Sequence, residues 1–227
     1  MCVLKKAKTC CLRLCGMNSK SFSFLIFVKV YILCFGCVIM PIYIIEHLEP
    51  KLWKWCLFEY RHISKIVGSK NLWIANIKSE KDTLKLRNYA KIIQNSISKL
   101  NLKHTCILDP YAKTTLTPKI AKKFRFFIFG GILGDYPPKK RTKKELPLKN
   151  IPRFNLGKKQ MPTDNAVYVT KQIYDGIPLK QLKFQNNLEI RINKIESIIL
   201  PFKYVLAGNK PLISRQVLNY LKRKRTF

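Results

Sequence analysis

Lys123-Phe124-Arg125-Phe126-Phe127-Ile128-Phe129 runs without a break into Gly130-Gly131-Ile132-Leu133-Gly134-Asp135. Short apolar runs that end on glycines are the pattern of strands buried inside a parallel sheet, with a loop at the carboxyl end. The glycines let a backbone approach a flat ligand closely. The spacing is not that of a dinucleotide-binding turn, and no Gly-Lys-Ser/Thr follows to cradle phosphates. A tight turn explains the glycines equally well when they are taken alone.

Upstream, residues 42–45 read as a first strand. The apolar positions Leu52, Trp53, Cys56, Leu57, Tyr60, Ile63 and Ile66 then recur at helical spacing until Gly68. Residues 71–77 (NLWIANI) suggest a second strand and residues 84–100 a second helix. Residues 105–108 give a third strand, closed by Asp109-Pro110. Alternating strands and helices predict an α/β fold, a mainly parallel sheet with helices on both faces and ligands held in loops at the strand carboxyl ends.

Downstream, Asp135-Tyr136-Pro137-Pro138 leads into a basic linker at residues 139–149. A helix is expected over residues 162–172, capped by Thr163 or Asp164. Residues 188–192 and 195–200 are strand-like, and Pro201 starts another extended piece. Residues 221–225 read as a basic, solvated helix end, and no internal repeat is visible.

The chain has 227 residues and is 47% hydrophobic, enough for one domain with a buried core. Its 44 Lys+Arg against 12 Asp+Glu give a net charge of +32 and point to an anionic partner or surface. Most of the excess is lysine in a chain rich in Asn and Ile, which an A- and T-biased genome would also produce. Residues 1–39 form a separate extension with six of the eight cysteines and no acid. The apolar run at residues 22–45 has the length of a membrane span or a targeting segment. The reading that fits best starts the domain at Met40, so that residues 40–227 fold and the extension is variable, with no membrane anchor. Cys34 and Cys37 have zinc-like spacing but no second pair, so no metal site is expected. Cys56 and Cys106 alone make no disulfide framework, and a cytoplasmic domain is expected.

Five stretches carry a resemblance. They are Ile44-Ile45-Glu46-His47-Leu48-Glu49, Leu108-Asp109-Pro110, Phe129 through Pro138, Leu156-Gly157-Lys158-Lys159-Gln160-Met161-Pro162-Thr163-Asp164, and Leu200-Pro201-Phe202-Lys203-Tyr204-Val205-Leu206. Together they resemble the SPOUT-class methyltransferases. That group includes the fungal arginine methyltransferases acting on a small-subunit ribosomal protein, and archaeal predicted RNA methyltransferases. The resemblance implies a C-terminal trefoil knot, an exception to the unknotted rule, with three loops gathered around S-adenosylmethionine. By that pattern the donor is held by Leu108, Asp109, Pro110, Gly130, Gly131, Ile132, Leu133, Gly134, Leu156, Gly157, Gln160, Met161 and Thr163. The backbones of Gly131, Leu133 and Gly157 would grip adenine and ribose, and Leu108, Ile132 and Met161 would form apolar walls.

An arginine acceptor has a pKa above ~12 and needs a carboxylate to orient it and receive a proton. Among the scarce acids, Asp135 and Glu46 are the expected acceptor-facing groups, with Glu49 third. Asp109 and Asp164 are expected to serve a turn and a helix cap. His47 and His62 are expected to be packed or surface residues, and Trp53, Trp55 and Trp73 to belong to the core. Residues 40–227 keep a charge of +26, from 38 Lys+Arg less 12 Asp+Glu. That charge favours RNA over a basic protein, unless the ribosomal protein is presented on its RNA. The expectation is methylation of an arginine on a ribosomal protein, by a monomer or a homodimer. The alternatives are a ribosomal or transfer RNA methyltransferase and a non-catalytic ribosome-assembly factor.

Overall fold

The computed structural model describes residues 40–137, 139–146, 148, 150–193 and 195–223. The extension, the cysteine pair in it and most of the apolar run at 22–45 lie outside the described residues. The end of that run is β1 (Ile42–His47), five of whose six residues are buried. No helix among the described residues is long and apolar enough to cross a membrane.

A seven-stranded sheet forms the centre. It contains β1, β2 (Leu72–Ala75), β3 (Lys91–Ile93), β4 (Thr105–Leu108), β5 (Thr114–Thr115), β6 (Phe126–Gly131) and β7 (Arg153–Asn155). Its order is β3-β2-β1-β6-β4-β7-β5, and every pairing is parallel. Both faces of the middle strands are covered, which is why β1, β4 and β6 are continuous apolar runs rather than alternating ones. Chain order reverses beside β1, where β6 lies between β1 and β4. Glu46 stands level with Gly130 and His47 with Gly131, while Leu108 stands level with both Phe129 and Phe154. Four strands therefore end side by side.

One face carries Tyr43, Ile45, Phe127 and Phe129 against helix α1 (Lys54–Val67) and helix α5 (Thr163–Tyr174), reinforced by α2 (Glu80–Leu86) and α3 (Pro118–Ala121). In α1 the buried stripe is Cys56, Glu59, Tyr60, Ile63, Ser64 and Val67, and Gly68 ends the helix at φ +83°. The expected face is thus rotated by part of a turn, leaving Trp53 exposed with the Lys51 ammonium 3.9 Å from its ring centre. Trp55 and Trp73 are partly buried. The other face carries Ile44, Ile107 and Ile128 under the 3-10 turn Ile97–Lys99, Leu148 and Leu146, the residue that ends α4 (Arg141–Glu145).

The helix expected at 84–100 is replaced. Ser79 caps α2 ahead of the expected start at residue 84, and the chain turns at Arg87 into β3. Ile92 and Ile93 pair with Ile74 and Ala75 at the open edge of β2. Available sheet edge outweighs helical spacing for β-branched residues.

Beyond α5, β8 (Phe184–Arg191), β9 (Ser197–Ala207) and β10 (Lys210–Pro211) make a separate antiparallel sheet. Residues 195–200 and the piece from Pro201 are therefore one long strand rather than two. The C-terminal helix α6 (Arg215–Arg223) packs Val217 and Leu221 on this sheet, and Phe58 of α1 meets Tyr220 edge-on at 5.9 Å.

Candidate active site

The aligned strand ends open on a hollow built from three bends. One runs from Leu108 at the end of β4 to Tyr111, one from Gly130 at the end of β6 to Asp135, and one from Leu156 after β7 to Thr163, with Arg141 and Thr142 of α4 and Ala166 of α5 closing it. Eleven of the thirteen expected binding residues line it: Leu108, Asp109, Pro110, Gly130, Ile132, Leu133, Leu156, Gly157, Gln160, Met161 and Thr163. Phe129 and Lys159, inside the stretches that carry the resemblance, line it too, and Tyr111 and Lys139 join from outside the expected set.

Asn155 ties the bends together. Its carbonyl accepts from Gly157 N at 2.9 Å and Thr115 Oγ1 at 3.0 Å, and its amide donates to Ala112 O at 2.9 Å. Gly157 sits at φ +97°, where a side chain is strained. Two expected glycines lie off the hollow. A methyl on Gly131 would strike the Tyr60 hydroxyl, and Ile45 and Glu46 O at 2.8 and 2.9 Å, so this glycine serves close packing. Gly134 instead faces a neighbouring hollow, lined by Trp55, Glu59 and Phe202. The anticipated backbone grips are also engaged internally. Leu133 N donates to Glu49 and Gly157 N to Asn155, while Gly131 O accepts from Leu48 N at 3.2 Å.

The acids divide sharply. Glu46, expected to face the acceptor, is buried away from the hollow and accepts Ile97 N at 3.0 Å, and burial raises its pKa. Glu49 accepts Leu133 N at 3.0 Å and Arg141 Nη1 at 2.9 Å on one oxygen, while Arg141 Nε reaches Glu145 at 2.6 Å. It clamps the glycine bend to α4. Asp109 accepts Tyr111 N and pairs with Arg153 at 3.1 Å, the turn role expected of it. Asp135 is different. It lines the hollow with 29% of its side chain exposed, and its cations Arg141 and Lys139 stand off at 3.9 Å.

The α1–α5 seam holds the remainder. Asp164 does not cap its own helix; Pro162 precedes α5 without a side-chain cap, and Asp164 pairs with His62 Nδ1 at 2.7 Å and accepts Asn165 N at 2.8 Å. Glu59 accepts Trp55 Nε1 at 2.8 Å and hydrogen-bonds Thr163 through both backbone and side chain. Its burial, with Asp164 nearby, holds its pKa above the usual carboxylate range. His47 is packed under Tyr60, ring nitrogen to hydroxyl 2.8 Å, and burial lowers its pKa. Glu59 is one of the scarce acids of the sequence and has no role among the expectations above. Its Trp partner four residues earlier on the same helix face was the available signal.

Lysines rim the opening. Lys139 and Lys159 line the hollow, the Lys140 ammonium stands 5.4 Å from the centre of the Tyr111 ring, and Lys158, Lys159 and Lys203 border an adjoining depression. Burial and the neighbouring Lys159 lower the Lys203 pKa.

A ligand hollow at the chain-reversal point of a parallel sheet, made of three bends of which two carry glycine, is the architecture of a SPOUT-type α/β methyltransferase fold. The sequence profile of the family described as "Protein arginine N-methyltransferase SFM1-like" matches residues 42–226, and the chain belongs to that family. It is 38% identical over 201 residues to the protein arginine N-methyltransferase SFM1 of Saccharomyces cerevisiae, covering 80% of this chain and 94% of the relative. Crystal structures of the yeast enzyme superpose on it. The complex with SAM gives a TM-score of 0.75 at 34% identity, over 86% of this chain and 95% of that one. The complex with SAH gives 0.74 at 35% identity, over 81% and 95%.

Proposed function

We propose that this chain transfers a methyl group from S-adenosylmethionine to an arginine side chain of a small-subunit ribosomal protein. The observation that carries the reading is the meeting of the three bends in one hollow, with Asp135 as its least committed acid. The residues suit the donor. Leu108, Ile132, Leu156 and Met161 give apolar walls for adenine, the lysine rim suits a carboxylate, and Asp135 suits a cation.

When bound, S-adenosylmethionine supplies a methyl on a positively charged sulfur. Asp135 would orient the acceptor nitrogen and receive the proton that leaves as the N–CH3 bond forms; such a role contributes about 10²–10⁴-fold. Glu49 and Arg141 would keep Leu133 in register, since displacement of about 1 Å at a reacting centre costs about 10²-fold. The trefoil knot is part of this reading. After β7, beyond β4, the chain returns so that α5 lies on β6 and α1; Tyr174 meets Phe127 at 6.0 Å and Asp164 meets His62. The buried free thiols Cys56 and Cys106 suit a reducing, cytoplasmic setting.

An RNA acceptor is the second reading, favoured by the Lys139–Lys159–Lys203 rim. The test is methyl-labelled donor with small ribosomal subunits, followed by nuclease or protease. Label should survive nuclease and appear as methylarginine after protein hydrolysis. Label that disappears with the RNA replaces the arginine reading by the RNA one.

A further inference from the structure

A depression of about 250 Å³ opens beside the donor hollow and shares its lip at Tyr111, Lys159 and Gln160. Its body lies outside the donor hollow: Lys158 of the third bend, Asn186 and Asn187 of β8, and Lys203 of β9. Asn186 stands level with Lys203, and a bulge follows it, with Asn187 at φ +53°. A bulge re-aims side chains, and here the two amides and the Lys203 ammonium border one space. The lining holds three lysines and no acid.

Unpaired lysines are ordinary on so basic a chain. Lys203 is different, because it is half-buried. Its ammonium lies 3.7 Å from the centre of the Phe184 ring, and a methyl on Gly157 would meet it at 3.4 Å. Lys159 stands near enough to disfavour its charge. Among the described residues no carboxylate pairs with Lys158, Lys159 or Lys203. Two like charges held together, one of them withdrawn from water, cost free energy that an anion between them removes.

We propose that this depression docks single-stranded RNA, with a phosphate between the Lys159 and Lys203 ammonium groups and a base on the exposed Tyr111 ring. The inference goes beyond the arginine reading and does not depend on which group takes the methyl. A single strand suits the whole lining. It brings a base for the aromatic face, and 2′-hydroxyls and base edges for the Asn186, Asn187 and Gln160 amides. An acidic peptide offers the lysines a charge but nothing for the ring, and a double helix is too wide for a space of this size. Docking here also resolves a conflict of charge. A strongly basic domain repels a basic protein, and RNA beneath that protein supplies the attraction. A strand bound here passes the mouth of the donor hollow at Tyr111 and Lys159, and brings to that mouth the protein it carries.

The test is fluorescence anisotropy of the full chain with a fluorescein-labelled uridylate dodecamer, over a range of potassium chloride. Lys158→Gln combined with Lys203→Met, which keeps a stem on Phe184, should weaken binding about tenfold or more and flatten the log–log salt slope by about 0.7 per lysine. Tyr111→Leu should weaken binding about fivefold or more with the slope unchanged, since stacking releases no counterions. Lys65→Gln combined with Lys70→Gln removes the same charge at the opposite end of the sheet, where α1 ends and β2 begins, and should change binding by no more than about twofold. S-adenosylmethionine affinity should be unchanged in the Lys158/Lys203 variant. The inference is overturned if the distant pair costs as much, which would make the attraction diffuse. It is overturned equally if polyglutamate displaces the dodecamer as well as unlabelled uridylate does, which would make the occupant an acidic peptide. Loss of S-adenosylmethionine affinity in step would give the lysines to the donor and overturn it too. These readouts involve no methyl transfer, so failure of the arginine reading in the nuclease arm leaves them standing.

Discussion

The two sides of the glycine bend use their carboxylates in opposite ways. On the α4 side the network is open to water: Asp135 is partly exposed and its cations stand at 3.9 Å, while Arg141 engages Glu49 and Glu145 and Leu133 N holds Glu49. On the α1–α5 seam Glu59 and Asp164 are buried, close enough to raise each other's cost, and His62, Trp55 and Thr163 hold them. The open side is within reach of water and of an incoming cation. The buried side needs every partner it has, because an unsatisfied charge matters most where water is excluded.

The contrast can be broken at its open end first. Asp135→Asn should lower kcat by about 10²-fold or more while the S-adenosylmethionine Kd, read by calorimetry, stays nearly constant. Equal loss of both would place Asp135 in donor binding. Next in size, Glu49→Gln should release Arg141 from the bend, weaken donor binding and destabilise the fold by about 1.5–3 kcal/mol in a urea titration. Gly134→Ala should press on Phe202 and reduce acceptor turnover more than donor affinity, in steady-state assays varying one substrate at a time.

The smallest effect has a sign that sharpens the comparison. Glu59 is protonated more readily in the folded than in the unfolded chain, so its burial erodes stability as pH rises above ~4.3, the unfolded value, towards its higher folded value. The groups around it are Asp164 with its partner His62, Cys56 and Tyr60 on α1, and Tyr204 on β9. Glu59→Gln should therefore raise Tm at neutral pH and leave it nearly unchanged in mild acid. A variant less stable at neutral pH than the wild type would mean that the carboxylate serves the seam.

The sheet was legible because both faces of β1, β4 and β6 are covered, which forces unbroken apolar runs and places Gly130 at a strand end. The donor-side bends were legible through the family resemblance, since the glycines alone fit a tight turn equally well. Residues 84–100 were misread because an isolated helical period carries no information about the vacant edge of β2 that Ile92 and Ile93 occupy. Glu46 and Glu49 look alike in sequence, three residues apart, yet one is spent on the Ile97 backbone and the other on Leu133 and Arg141. Nothing local distinguishes them. Glu59 was hidden by its helix, since an acid on an amphipathic face reads as solvated until β9 arrives from far along the chain to cover it.

Calorimetric titration of the purified chain with S-adenosylmethionine, wild type beside Met161→Arg, is the most direct check that the three bends form the donor pocket. One molecule should bind per chain, and a charged side chain in the shared wall should weaken binding about tenfold or more while the unfolding transition remains cooperative. No heat with the wild type, or equal affinity in a folded Met161→Arg protein, would contradict the account.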